Sequence, residues 1–161
     1  MLIQMIEYKS FEYKSFIHKY SLVRENTNQY KTKVHKLEDV IKIIENILPD
    51  DIQEHFGVIF LNRANNTIGY RIISTGGIHN SIVDIRILFK YAIECLCSGM
   101  ILFHNHPSGN YQPSESDIKL TNQIQEAAKL FNINVMDHII LTDKYNDGEK
   151  QFFSFANEGI L

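Results

Sequence analysis

The chain has 161 residues, 44% hydrophobic, 11% aromatic and 22% charged, a composition that fits an ordinary globular domain and excludes collagenous, low-complexity and membrane-spanning classes. A chain of this length buries roughly two-thirds of its unfolded surface, so it requires neither a disulfide nor a structural metal to hold a core. The net charge of −3 hides an asymmetry: residues 1–36 carry seven Lys/Arg against three Asp/Glu, net +4, whereas residues 37–161 carry nine against sixteen, net −7.

The two cysteines, Cys95 and Cys97, are too close in sequence for an ordinary disulfide, and no second pair completes a zinc finger, which favours a reducing, cytoplasmic setting. No basic-then-apolar leader and no apolar run of membrane-helix length is seen, so neither secretion nor a membrane association is expected. The acidic body lacks the basic footprint of a nucleic-acid binder. Residues 1–36 leave a basic arm open for that role, against the plainer reading of a solvated terminal segment.

Residues 1–36 hold a tandem repeat, Glu7-Tyr8-Lys9-Ser10-Phe11 and Glu12-Tyr13-Lys14-Ser15-Phe16, followed by a Tyr/Lys-rich run to Lys36. A period of five is too short for a solenoid unit, and aromatics between lysines suit an edge strand or extended arm. From Leu37, apolar residues at Val40, Ile41, Ile44, Ile47 and Leu48 predict a helix that stops at Pro49. His55 to Leu61 and Thr67 to Ser74, separated by Asn65-Asn66, predict a hairpin ending at Gly76-Gly77. Asp84 is a cap for a second helix that closes near Gly99 and carries Cys95 and Cys97 as packing residues pointing in different directions. Met100 to Phe103 is a short apolar strand. A loop with Pro107, Gly109 and Pro113 leads into a long helix bearing Ile118, Ile124, Ala127, Ala128 and Phe131. Asn134 to Leu141 and Gln151 to Phe155 read as closing strands. The fold class expected is α/β, a mixed α+β sheet with helices on its faces.

The chemistry concentrates between His104 and Asp117. His104 and His106, one residue apart at a strand end, project to one face, so both imidazoles can reach a single metal ion. Alone that pair is a weak signal, because a loop histidine is commonly just hydrogen-bonded. Ser114-x-x-Asp117 after Pro113 has the form of a capping box, which by itself requires no catalysis. A helix starting there also brings its first turn back over the strand end, where Asp117 would make a third ligand. Two imidazoles and one carboxylate leave a fourth tetrahedral position open on zinc, the pattern of catalytic sites.

His104-x-His106, seven residues, then Ser114-x-x-Asp117 resembles the metal-binding signature of the JAB/MPN (JAMM) metalloprotease superfamily. The expanded form, His104-Asn105-His106-Pro107-Ser108-Gly109 with Pro113-Ser114 and Asp117, is similar to its RadC-like branch. The likeness runs from about Leu37 to the C-terminus and divides the chain into a basic arm, 1–36, and a JAB/MPN domain, 37–161. It implies a layered architecture like that of cytidine deaminases, one zinc ion per chain on His104, His106 and Asp117, and hydrolysis of an amide or isopeptide bond in a protein or peptide. It further implies Glu54 as the general base for a metal-activated water and Ser114 as the oxyanion donor. Without that resemblance, Glu54 reads as a solvated residue after the first helix.

Two departures stand out. The stretch from Ile78 to Arg86 lacks the Pro-Arg-Glu segment usual in RadC-like relatives, and the first glycine, Gly57, comes too late for their N-terminal helix-hairpin-helix module. A non-catalytic protein-binding module and a DNA-repair factor using the basic arm are the alternative functions. Neither the H-x-E with P-C-x-x-C of zinc deaminases nor the H-E-x-x-H of thermolysin-type enzymes occurs, and the consecutive His-Asn-His is not the dispersed pattern of HNH nucleases. His138 is read as a buried, hydrogen-bonded histidine or a support for the site. His18, His35 and His79 carry no signal, and the oligomeric state is left open.

Overall fold

The computed structural model describes residues 32–49, 52–76, 83–146 and 149–161. The tandem repeat, Gly77, the stretch from Ile78 to Ile82, His18 and His79 lie outside the described residues. Among the described residues, three helices and five strands follow in the order α1 (Leu37–Ile47), β1 (His55–Leu61), β2 (Thr67–Thr75), α2 (Ile85–Glu94), β3 (Gly99–Asn105), α3 (Glu115–Leu130), β4 (Asn134–Asn146) and β5 (Glu149–Ser154). They build a mixed α+β sheet of order β2-β1-β3-β4-β5. β3 and β4 run parallel across the α3 connection, and every other neighbouring pair is antiparallel. Among the described residues, no helix is long and apolar enough to cross a membrane.

The two faces of the sheet carry separate cores. Phe56, Val58 and Phe60 of β1 with Met100 and Leu102 of β3 pack against Leu88, Phe89 and Ala92 of α2 and Ile124 and Ala128 of α3. Ile59, Leu61, Ile101 and Phe103 point the other way, against Val40, Ile43, Ile44 and Ile47 of α1. β1 and β3 are therefore buried on both sides, which explains why their sequences read as continuous apolar runs rather than alternating ones. Each fully buried Ile or Leu in these layers contributes on the order of 1.5–3 kcal/mol.

Local chemistry sets the helix ends. The Asp39 carboxylate accepts the N–H groups of His35 and Lys36, at 3.1 and 3.2 Å, and starts α1. Asp84 caps α2 by accepting from the Arg86 N–H at 2.9 Å. α2 stops at Glu94, short of the expected closure near Gly99, because Leu96 adopts a left-handed conformation with φ 51°. Cys95 and Cys97 thus lie beyond the helix. The left-handed residue between them turns their thiols together instead of apart, and the hydrogen bond they share lowers the Cys95 thiol and raises that of Cys97. Both remain packing residues of the α2/α3 core.

β3 extends two residues past Phe103, so His104 and Asn105 are strand residues, and β4 continues beyond Leu141 to Asn146. At the other edge, Thr32 to Val34 run extended along the β1–β2 turn, with Val34 N–H donating to Asn65 O at 2.9 Å and Thr67 N–H to Thr32 O at 3.1 Å.

Gly57 pairs with Phe103 across β1 and β3, and the Phe103 ring lies over its Cα. A Cβ here would stand 2.7 and 2.8 Å from Cε2 and Cε1 of that fully buried ring. Gly57→Ala should therefore destabilise the protein by about 1–3 kcal/mol through overpacking. Urea denaturation checks this, and a midpoint equal to that of the wild type would contradict the packing account.

Candidate metal centre

The end of β3 delivers one side chain to each face of the sheet. His104 follows Met100 and Leu102 toward α3 and is fully buried, while Asn105 follows Ile101 and Phe103 to the opposite face. His106 lies just past the strand and stays tied to the sheet by its N–H, which donates to Leu141 O at 2.8 Å. The chain then turns, with Gly109 N–H donating to His106 O at 3.0 Å and Gly109 itself at φ 75°, and enters α3.

The entry to α3 is a complete capping box. Ser114 Oγ accepts the Asp117 N–H at 3.2 Å, and Asp117 Oδ2 accepts the Ser114 N–H at 2.7 Å. The Ser114 hydroxyl donates its hydrogen to Asp117 Oδ2 at 2.6 Å and also lies 2.7 Å from Ser116 Oγ. The box holds the Asp117 carboxylate over the strand end, at the N-terminus of α3. The structural and ligand readings of Asp117 therefore coexist. Oδ1 stands 3.5 Å from His104 Nε2 and Oδ2 stands 3.7 Å from His106 Nε2.

His104 Nε2 and His106 Nε2 lie 2.9 Å apart. The Nδ1 of His106 meets the Asn110 carbonyl at 2.6 Å, and a carbonyl only accepts, so Nδ1 carries a hydrogen and the neutral ring has its lone pair on Nε2. The Nδ1 of His104 meets His138 Nε2 at 2.8 Å. Burial pushes His104 down to about 4, with Asp117 opposing that shift. At neutral pH His104 is uncharged. Two imidazole Nε2 atoms facing each other at 2.9 Å beside a carboxylate are a donor set for a shared proton or a cation. The donor set fits a metal cation: among the described residues His104, His106 and Asp117 bring their ligand atoms within 4.8 Å of one another.

Glu54 occupies the position just before β1, whose Phe56 pairs with His104. It is half-buried, and burial raises its carboxyl above the ordinary value, with Asp117 reinforcing and His106 opposing that shift. Glu54 thus shares the electrostatic field of the histidines and Asp117. The backbone around it is pinned from β3: Asn105 Nδ2 donates to Gln53 O at 2.8 Å, and Asn105 Oδ1 accepts the His55 N–H at 2.7 Å. Gly76 N–H holds the Glu54 carbonyl at 2.8 Å. Asn105 is the residue that sequence reasoning passed over. Its signal was its place between two histidines, on a strand position that must face away from them.

The family model of the RadC-like JAB domain matches residues 34–160. The chain belongs to the RadC-like JAB family. A UPF0758 protein of Flavobacterium johnsoniae is 38% identical over 129 residues, covering 80% of this chain and 54% of its own. A UPF0758 protein of Porphyromonas gingivalis is 41% identical over 120 residues, covering 74% and 51%. This RadC-like chain spans about half the length of the relatives it matches.

Two predictions follow from this geometry. The ordinary histidine value is 6.5, and burial holds His104 near 4 and His138 well below 6.5. Between those limits the unfolded chain binds protons that the folded chain refuses, so metal-free stability rises with pH from about 4 to 6.5 and is lost as pH falls. Each histidine adds a slope of up to about 1.4 kcal/mol per pH unit, measurable by urea titration of metal-free protein, and a flat profile across that window would contradict neutral burial. Asn105→Ala should cost about 1–3 kcal/mol, because it strands the buried His55 N–H, while leaving the metal-ligand set intact. The same urea series combined with metal stoichiometry checks both halves of that expectation.

Proposed function

We propose that the protein is a zinc-dependent metallopeptidase acting on amide or isopeptide bonds, with one zinc ion per chain held by His104, His106 and Asp117. The single observation that supports this most is the pair of Nε2 atoms facing each other at 2.9 Å beside the Asp117 carboxylate. Borderline-soft zinc takes neutral imidazole and carboxylate ligands, and three protein ligands leave room for chemistry. When bound, zinc supplies Lewis acidity that polarises a carbonyl and acidifies water.

The chain's own residues supply the rest. Glu54, raised by burial, takes the proton of the attacking water and delivers it to the departing amine. The Ser114 hydroxyl stabilises the oxyanion that develops on the substrate carbonyl. To do so it swings its hydrogen away from Asp117 Oδ2, while the Ser114 N–H keeps that carboxylate in place. A protein or peptide chain is the substrate class that this reading requires.

Metal analysis and hydrolysis assays test the proposal together. The wild-type protein should hold one zinc per chain, and His104→Ala and Asp117→Ala should lose it. Glu54→Gln should keep its zinc and lose about 10²–10⁴-fold of its hydrolysis of a fluorogenic peptide-amide library. Stoichiometric zinc in both ligand variants, or undiminished hydrolysis by Glu54→Gln, would overturn it.

A further inference from the structure

We propose that Thr121 and His138 are positioning residues that fix the tautomer and ring orientation of His104 and tie it back to Asp117 through a one-way hydrogen-bond relay. The direction of the relay follows from its end. The Asp117 carbonyl can only accept, and Thr121 Oγ1 donates to it at 2.6 Å. That uses the hydroxyl's one hydrogen. Thr121 Oγ1 must then accept from His138 Nδ1, which lies 2.6 Å away. His138 is fully buried between the stacked ring of Phe155 and the edge-on ring of Phe56, surroundings that keep it neutral, so its Nε2 is bare. Across 2.8 Å it therefore accepts from His104 Nδ1–H. One tautomer remains for His104, with its Nε2 lone pair directed at His106 and Asp117.

The relay leaves Asp117 through its backbone carbonyl and passes Thr121 and His138 to His104, whose Nε2 then faces the Asp117 carboxylate at 3.5 Å with no hydrogen bond between them. Two groups on different elements, a strand end and a helix start, are thereby held in one geometry before any ion arrives. The partner of His104 is also unusual in kind. A carboxylate in that place would add negative charge to the centre, whereas an imidazole backed by a hydroxyl orients the ring and adds none.

β4 is shaped to make this contact. The pairing of β3 with β4 slips between Met100–Val135 and Ile101–Asp137, leaving Met136 as an extra residue. Val135 packs on the α2/α3 face and Met136 on the α1 face. Regular alternation would then send His138 to the α1 side. The bulge turns it instead to the α3 side, where His104 and Thr121 wait. Asp137 secures the bulge. Its carboxylate accepts the His138 N–H at 2.7 Å, the Ala156 N–H at 3.0 Å and the Ser154 hydroxyl at 2.6 Å.

The metal arm of this inference rests on the zinc reading above, but the tautomer arm does not. Imidazole nitrogen shifts of the full-length, ¹⁵N-labelled chain, recorded without metal at neutral pH, should show His104 and His138 each protonated at Nδ1 alone. Thr121→Val removes the acceptor at nearly constant volume. It should give mixed nitrogen signals for both rings and weaken zinc affinity about 10- to 100-fold against a competing chelator. Thr121→Ser should restore the single tautomers and bring zinc affinity back to within about twofold of the wild type, which a merely space-filling role would not do. A wild-type His104 protonated at Nε2 overturns the relay without recourse to any variant. So does a folded Thr121→Val protein with unchanged nitrogen signals and zinc affinity. A wild type that shows the single tautomers yet takes up no zinc supports the relay and defeats the metal reading instead.

Discussion

Side-chain alternation at the end of β3 is the constraint on which the centre depends. A strand has two faces and one residue spacing, so His104 and Asn105 must point to opposite sides of the sheet. Each side puts its residue to use. Toward α3, His104 meets His106, Asp117 and His138; toward α1, Asn105 grips the peptides on both sides of Glu54. The candidate ligands and the candidate base are thus registered to each other by two adjacent residues of one central strand. Because β3 is paired on both sides and covered by helices on both faces, that register cannot drift without breaking both cores.

Such an arrangement places many polar groups in a dry interior, where an unpaired one costs about 1–3 kcal/mol. His104, Asn105, Thr121, Asp137, His138 and Ser154 are all buried, and each bonds to another group of this set or to nearby backbone. The network offsets its own desolvation only while it stays complete. This is why the bulge in β4 and the carboxylate that secures it matter as much as the ligands. If Asp137 released the bulge, His138 would face the wrong core and both of its hydrogen bonds in the relay, to His104 and to Thr121, would fail together.

Much of this was legible in the sequence where a local rule governs. The stripe from Val40 to Ile47, the Asn65-Asn66 hairpin, the Asp84 cap and the Ser114–Asp117 box are set by residues within a few positions of each other, and each appears as expected. The convergence of His104, His106 and Asp117 was legible for the same reason, since a strand end, a short loop and a helix start bring them together. What escaped depends on pairing between distant segments. No pattern within 134–141 reveals the extra residue at Met136, because a bulge is a mismatch between two strands and not a property of one. The left-handed Leu96 that ends α2 early is similar, for leucine gives no warning of positive φ. Thr121 was within reach: it stands four residues after Asp117, on the same face of α3.

The capping box then explains how one residue type at one position can serve folding and chemistry without conflict. Asp117 has two carboxylate oxygens and a carbonyl, and the structure gives each a separate task. Oδ2 takes the N–H and hydroxyl of Ser114 and starts the helix, the carbonyl receives Thr121, and Oδ1 is the oxygen nearer His104. The bonds to Ser114 hold the carboxylate over the strand end, so the helix start places the candidate ligand. Ser114 stands at the opposite balance. Its single hydrogen is already committed to Asp117, and any service to a substrate oxyanion must compete with that bond. Under the proposed function, a carboxylate held by backbone N–H as well as hydroxyl can spare the hydroxyl at the moment of reaction. The capping geometry of α3 meets that requirement.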